Sequence, residues 1–98
     1  MITTKQRSKL KGLANTLRPL VTIGKEELTE NVLNEIAVAL FHHELVKVQC
    51  LRSCTVSAKT LCQEVCQVLD CQPVLCIGNR FVVHKFSDKE EIDHIELD

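Results

Sequence analysis

Residues 19–29, PLVTIGKEELT, decide how the rest of the chain is organised. Pro19 favours an extended approach, and Leu20 to Ile23 form a short apolar run of strand type. Gly24-Lys25 interrupt that run, and Thr29 offers its hydroxyl to an orphan amide in the first turn of a helix. The junction therefore reads as strand, glycine loop, helix. At such a place backbone amides and the positive end of the helix dipole point outward together, and a glycine lets a ligand approach without a Cβ in the way. That geometry suits a phosphate. A plain turn uses the same residues, so the surroundings must decide between the two readings.

Upstream, Thr3 and Gln6 have the spacing of a capping box, and Leu10, Leu13, Ala14 and Leu17 fall at i, i+3, i+4 and i+7. The spacing predicts a helix over 4–17. Lys5 and Lys9 lie opposite its apolar stripe, while Arg7, Lys11 and Arg18 lie along one flank, so these bases stay in water. Gly12 weakens the helix by ~1 kcal/mol relative to alanine and marks a possible close contact.

Downstream, a second helix over 29–43 buries Val32, Leu33, Ile36 and Leu40. His43 falls beside that stripe and His42 away from it, so His43 is expected at the edge of the core and His42 in solvent. The two cannot bind one metal from one face. Val46, Val48 and Cys50 alternate with Lys47 and Gln49 as a strand does. A third helix over 57–69 is expected to bury Ala58, Leu61, Val65 and Val68, with Cys62 and Cys66 on its flank, Cys66 the more exposed. Two strands over 73–77 and 80–86, joined by Gly78-Asn79, read as an antiparallel hairpin. The order is αβαβαββ, an α/β domain over residues 1–86 followed by an acidic, loosely held tail over 87–98, from which Ile92, Ile95 and Leu97 could dock.

Composition narrows the function classes. With 98 residues, 45% of them apolar, the chain supports one core and one domain. No apolar run approaches the ~20 residues of a membrane helix, and the polar, basic N-terminus lacks a signal-peptide core, so a cytoplasmic protein without membrane contact is expected. The net charge is −1, but residues 1–25 hold six bases, Lys5, Arg7, Lys9, Lys11, Arg18 and Lys25, and no acid. All thirteen acids lie beyond them. A neutral average thus hides a basic end and an acidic end. The six cysteines show no C-x-x-C pair, which favours reduced thiols serving as small hydrophobes over a zinc site or a disulfide framework. Cys66 is expected to alkylate before Cys50 or Cys76. Ser8, Ser53, Ser57 and the cysteines have no recognisable base or metal motif around them, so no enzyme, cofactor or small-molecule substrate is expected.

The stretch TKQRSKLKGLANTLRPLVTIGKEELTENVLNEIAVALFHHELVKV resembles the bacterial YhbY-type RNA-binding proteins, whose domain is also called CRM, for chloroplast RNA splicing and ribosome maturation. The likeness extends over residues 4–86. It is carried by Lys5, Leu10-Lys11, Ala14, Pro19, Gly24-Lys25, Leu28-Thr29 and the helix exit HHELVKV. The resemblance implies a two-layer α+β fold, with helices on one face of a four-stranded mixed sheet, similar to the C-terminal domain of translation initiation factor three. It also implies ribosomal RNA and the precursor of the large ribosomal subunit as partners of a monomeric assembly factor. The loop of that family reads G-x-x-G, comparable to the backbone-clamping loop of KH domains. Here it is Gly24-Lys25-Glu26-Glu27, so two carboxylates are expected where a phosphate would approach, and Glu27→Gly is expected to raise RNA affinity. The residues expected to hold RNA are Lys5, Lys9, Lys11, Arg18, Gly24 and Lys25, with Arg80 and Lys85 on the hairpin. Lys25 is expected to matter more than Lys89 in the acidic tail. The alternative is a protein-interaction module of the same fold that meets a basic ribosomal protein.

Overall fold

A computed structural model describes residues 2–88 and residue 95. Lys89, Ile92 and Leu97, and with them most of the expected acidic tail, lie outside the described residues. The elements are α1 (Thr4–Ala14), β1 (Val21–Ile23), α2 (Glu30–His43), β2 (Leu45–Cys50), α3 (Ala58–Leu69), β3 (Gln72–Ile77) and β4 (Arg80–His84). The αβαβαββ order read from the sequence is the observed one.

Each helix starts where its capping chemistry places it. The Thr3 hydroxyl accepts from the Gln6 amide while Gln6 Oε1 accepts from the Thr3 amide, a complete capping box. Thr29 and Ser57 accept from the amides of Val32 and Thr60. At the other end α1 stops at Ala14 rather than Leu17. Bonds from the Asn15, Thr16 and Leu17 amides to carbonyls three residues back tighten its last turn ahead of Pro19.

The four strands form one mixed sheet in the order β1-β2-β4-β3. β1 runs parallel to β2, with Ile23 opposite Cys50, and β2–β4 and β4–β3 are antiparallel. Gly78, at φ +60°, opens the two-residue β3–β4 connection while Asn79 keeps negative φ, the φ pattern of a type II′ hairpin. Asn79 then clasps the end of β2, its side-chain amide donating to the Cys50 carbonyl at 2.9 Å.

The expectation of helices on one face is corrected. α2 and α3 cover one side, where Ile36, Leu40, Leu61 and Val65 meet Val46, Val48, Phe81 and Val83. α1 covers the other side, where Leu10 and Ala14 meet Leu45, Val74 and Val82. The reason lies in β4: Phe81, Val82 and Val83 are buried in succession, so both faces of the strand need a cover. The stripe of α3 also differs from expectation. Cys62 is buried in it and Val68 is 61% exposed, because the contact runs from Ala58 and Leu61 through Cys62 and Val65 to Leu69.

All six cysteines are free; Cys50, Cys62 and Cys71 are buried, Cys54 and Cys66 half-buried, and Cys76 exposed. Cys76 is therefore not the protected thiol expected from sequence, since it sits on the sheet's outer strand, β3. The neighbouring thiols of Cys62 and Cys71 favour the thiolate at half-buried Cys66, while that same neighbour and burial disfavour theirs. Burial pushes Cys50 up to about 11. Iodoacetamide at pH 7 is accordingly expected to label Cys66 and Cys76 before Cys50, Cys62 and Cys71, as read by peptide mass spectrometry. Early labelling of Cys50 would contradict this.

Candidate nucleic-acid interface

β1 is three residues long because the chain must turn at Gly24 to enter α2 on the covered face. The turn is closed by the Glu27 amide donating to the Gly24 carbonyl at 2.9 Å, leaving Lys25 and Glu26 exposed at its tip. A Cβ added at Gly24 would meet only Leu51 Cδ1, at 3.8 Å, an ordinary contact. The fold itself therefore does not require glycine here.

Glu27 stands where the resemblance implies a second glycine, and its φ of +60° is the left-handed conformation for which glycine is the usual residue. Its carboxylate does not meet an incoming phosphate. Glu27 Oε2 accepts from the Thr55 amide at 3.1 Å, the Thr55 hydroxyl at 3.0 Å and the Val56 amide at 3.0 Å. The same segment braces the turn twice more: Leu51 N donates to the Ile23 carbonyl, and Cys54 Sγ donates to the Gly24 carbonyl at 3.1 Å. Of the two carboxylates expected at the tip, only Glu26 is there, and the reason to expect higher RNA affinity from Glu27→Gly is gone. Cys54, Thr55 and the role of Glu27 were invisible in sequence because their partners lie about thirty residues away along the chain.

These bonds set an order of stabilities. Glu27→Ala loses the three bonds and keeps the strained backbone, so unfolding free energy is expected to fall by about 2–3 kcal/mol. Glu27→Gly loses the same bonds but relieves the strain, and should be about 1 kcal/mol less damaging. Urea denaturation of both variants checks this; equal losses would show that the left-handed backbone costs nothing.

The other expected RNA-binding residues spread over the molecule. Lys5, Lys9 and Lys11 are exposed on α1, and Arg18 is exposed between α1 and β1. Arg7 is partly committed, its Nε donating to the Pro73 carbonyl at 3.1 Å. Arg80 stands opposite Gln49, one residue from the β2 end beside the Gly24 turn. Lys85 lies at the opposite end of the sheet, past the His84–Leu45 pair, with its ammonium donating to the Leu69 carbonyl at 2.8 Å. The structure thus gathers Gly24, Lys25 and Arg80 at one end of the sheet and sets Lys85 apart. His43, expected at the core edge, is exposed, because the buried side of α2 is carried by Ile36 and Leu40. Among the described residues no group of three or more His, Cys, Asp or Glu is arranged to hold a metal ion. No described helix is long and apolar enough to cross a membrane.

Known proteins resemble this chain. An RNA-binding protein of Haemophilus influenzae is 36% identical over 91 residues, covering 93% of this chain and 92% of its own. "Probable RNA-binding protein YqeI" of Bacillus subtilis is 33% identical over 97 residues, 99% of each chain. The solution structure of SAV1595 from Staphylococcus aureus matches with a TM-score of 0.78 at 30% identity, over 97% of this chain and 100% of that one. The description of the CRS1 / YhbY (CRM) domain fits residues 2–85, which run from the cap of α1 through the Gly24 turn to the end of β4. The chain therefore belongs to the CRS1 / YhbY (CRM) domain family.

Proposed function

We propose that this protein is a non-enzymatic RNA-binding factor that holds ribosomal RNA in the precursor of the large ribosomal subunit. The observation that carries the reading is the acid-free run of six bases in residues 1–25, displayed on α1, at Arg18 and at the tip of the Gly24 turn. Cations arrayed on one helix and one turn neutralise successive phosphates, and the release of condensed counterions supplies the affinity. The RNA-binding names of the relatives support the same reading. The ribosomal target rests on the resemblance to the CRM domain, whose name stands for chloroplast RNA splicing and ribosome maturation. Turning Glu27 into the 51–56 segment removes a carboxylate from the turn, which favours RNA over a basic protein as the partner.

Gly24→Ala separates binding from folding. A Cβ fits in the free protein, so thermal stability should hold or rise by about 0.4–1 kcal/mol. Affinity for large-subunit RNA should nevertheless fall several-fold, because the methyl occupies the space through which a phosphate reaches the turn. Unchanged affinity would mean that the turn does not touch RNA. Crosslinking in cell extract, followed by sequencing of the attached RNA, tests the target; recovery of a ribosomal protein in place of RNA would favour the protein-interaction module.

A further inference from the structure

We infer that the apolar concavity between the end of α1, β1 and the end of α2 is a nucleobase site with His43 as its stacking plane, on the path of a single-stranded RNA segment. The inference rests on the RNA-binding reading above and specifies which part of the RNA goes where. The concavity measures about 450 Å³ and is walled by Leu13, Leu17, Leu20 and Leu45, with Ile95 at one side. Its volume lies within the range of built ligand sites. Leu13 and Leu20 are 42% and 55% exposed, so apolar surface stands open to water beside Arg18, Lys47 and the His43 imidazole.

An apolar floor under a cationic rim matches the chemistry of a nucleotide. The face of a base is uncharged and polarisable, and it gains from burial against leucine side chains and from stacking on an imidazole. The phosphates on either side of it remain in water, within reach of Arg18 and Lys47. An apolar peptide side chain would fill the floor equally well but would leave the two cations unused. Among the described residues no acidic side chain lines the concavity.

The surface continues in one direction. Lys47 also lines a second, smaller concavity with Asn15, Leu75, Ile77, Arg80 and Val82, again with no acid among the described residues. The strand register sets Thr22, Gln49 and Arg80 in one row across β1, β2 and β4. That row lies on the face that α1 only partly covers, since Val48 and Phe81, one residue along each strand, belong to the opposite core. RNA with one base against His43 thus passes over Lys47 and along this row to the end of the sheet that carries the Gly24 turn. The turn and the concavity lie on this path, and Lys85 lies off it.

The test compares a single-stranded RNA dodecamer with a blunt RNA duplex, by fluorescence anisotropy at two salt concentrations. His43→Ala is expected to weaken single-strand binding on the order of tenfold. The salt slope should stay unchanged and duplex binding unaffected. His43→Phe should restore the single-strand affinity, which a merely structural role for His43 would not predict. Lys47→Gln should lower the slope of log affinity against log salt by about 0.7. Because His43 and Lys47 are on the surface or half-buried, thermal midpoints should match the wild type. If His43→Ala binds single strands as the wild type does, or if His43→Phe fails to restore binding, the nucleobase site is overturned. The RNA-binding reading then still stands, provided that Gly24→Ala weakens binding. If the wild-type protein binds neither RNA, both readings fall together.

Discussion

Replacing Glu44 by alanine is expected to lower the free energy of unfolding by about 3 kcal/mol, a large share of the stability of a domain this size. Glu44 ends α2 in the left-handed conformation, at φ +63°, and is fully buried. Its amide donates to the Leu40 carbonyl, and its own carbonyl accepts from Lys85 N as the chain leaves β4. Its carboxylate then accepts from the amides of Ser87 at 2.7 Å and Ile95 at 2.9 Å. Removing the carboxylate strands those two amides in a part-buried place, at roughly 1–3 kcal/mol each before relaxation. It also loosens Ile95 from its seat against the α1-side core. The loss corresponds to a fall in melting temperature of roughly 12–24 °C for a domain of this length. Glu44→Gly should be about 1 kcal/mol milder, because glycine accepts the left-handed backbone without strain. Hydrogen exchange supplies the local check: the Ser87 and Ile95 amides should lose protection in Glu44→Ala well before the β2 and β4 amides do. A loss below 1 kcal/mol would mean that the carboxylate holds nothing that water cannot hold equally well.

The second large effect concerns affinity. Replacing Lys5, Lys9 and Lys11 together by glutamine is expected to weaken binding to large-subunit RNA about 100-fold at 0.1 M salt, and to lower the salt slope by about 2. Each phosphate contact adds a slope of roughly 0.7, which at 0.1 M is roughly a fivefold gain in affinity per contact. Three contacts therefore multiply to about two orders of magnitude. Lys89→Gln, in the acidic end of the sequence, serves as the control for bulk charge, its logarithmic loss being compared with one third of the triple variant's. A comparable loss in the control would show that net charge, not the α1 surface, governs binding.

Local signals in the sequence carried most of the architecture. Thr3 with Gln6 and Thr29 each cap the helix they were expected to cap, because a capping bond spans three residues and needs no distant partner. The alternation of Val46, Val48 and Cys50 put those side chains on one face, and Gly78-Asn79 turned the hairpin, for the same reason of short range. Family membership was equally legible, since it rests on the identity and spacing of residues. The basic character of the first 25 residues was a matter of counting.

What the tertiary structure alone decided depends on contacts between residues far apart in the chain. Nothing near Glu27 says that its carboxylate will turn toward Thr55 and Val56 rather than toward a ligand, or near Glu44 that it will hold the amides of residues 87 and 95. The exposure of His43, Cys76 and Val68 likewise depended on which helix covers which part of the sheet. The passage of α1 to the second face followed from β4 being buried on both sides, and it brought Leu13 and Leu17 beside Leu20, His43 and Lys47. Helical and strand periodicities say which side of an element is apolar. They carry no record of what that side will meet, because the partner is selected by packing of the whole core, in which each burial competes with every other.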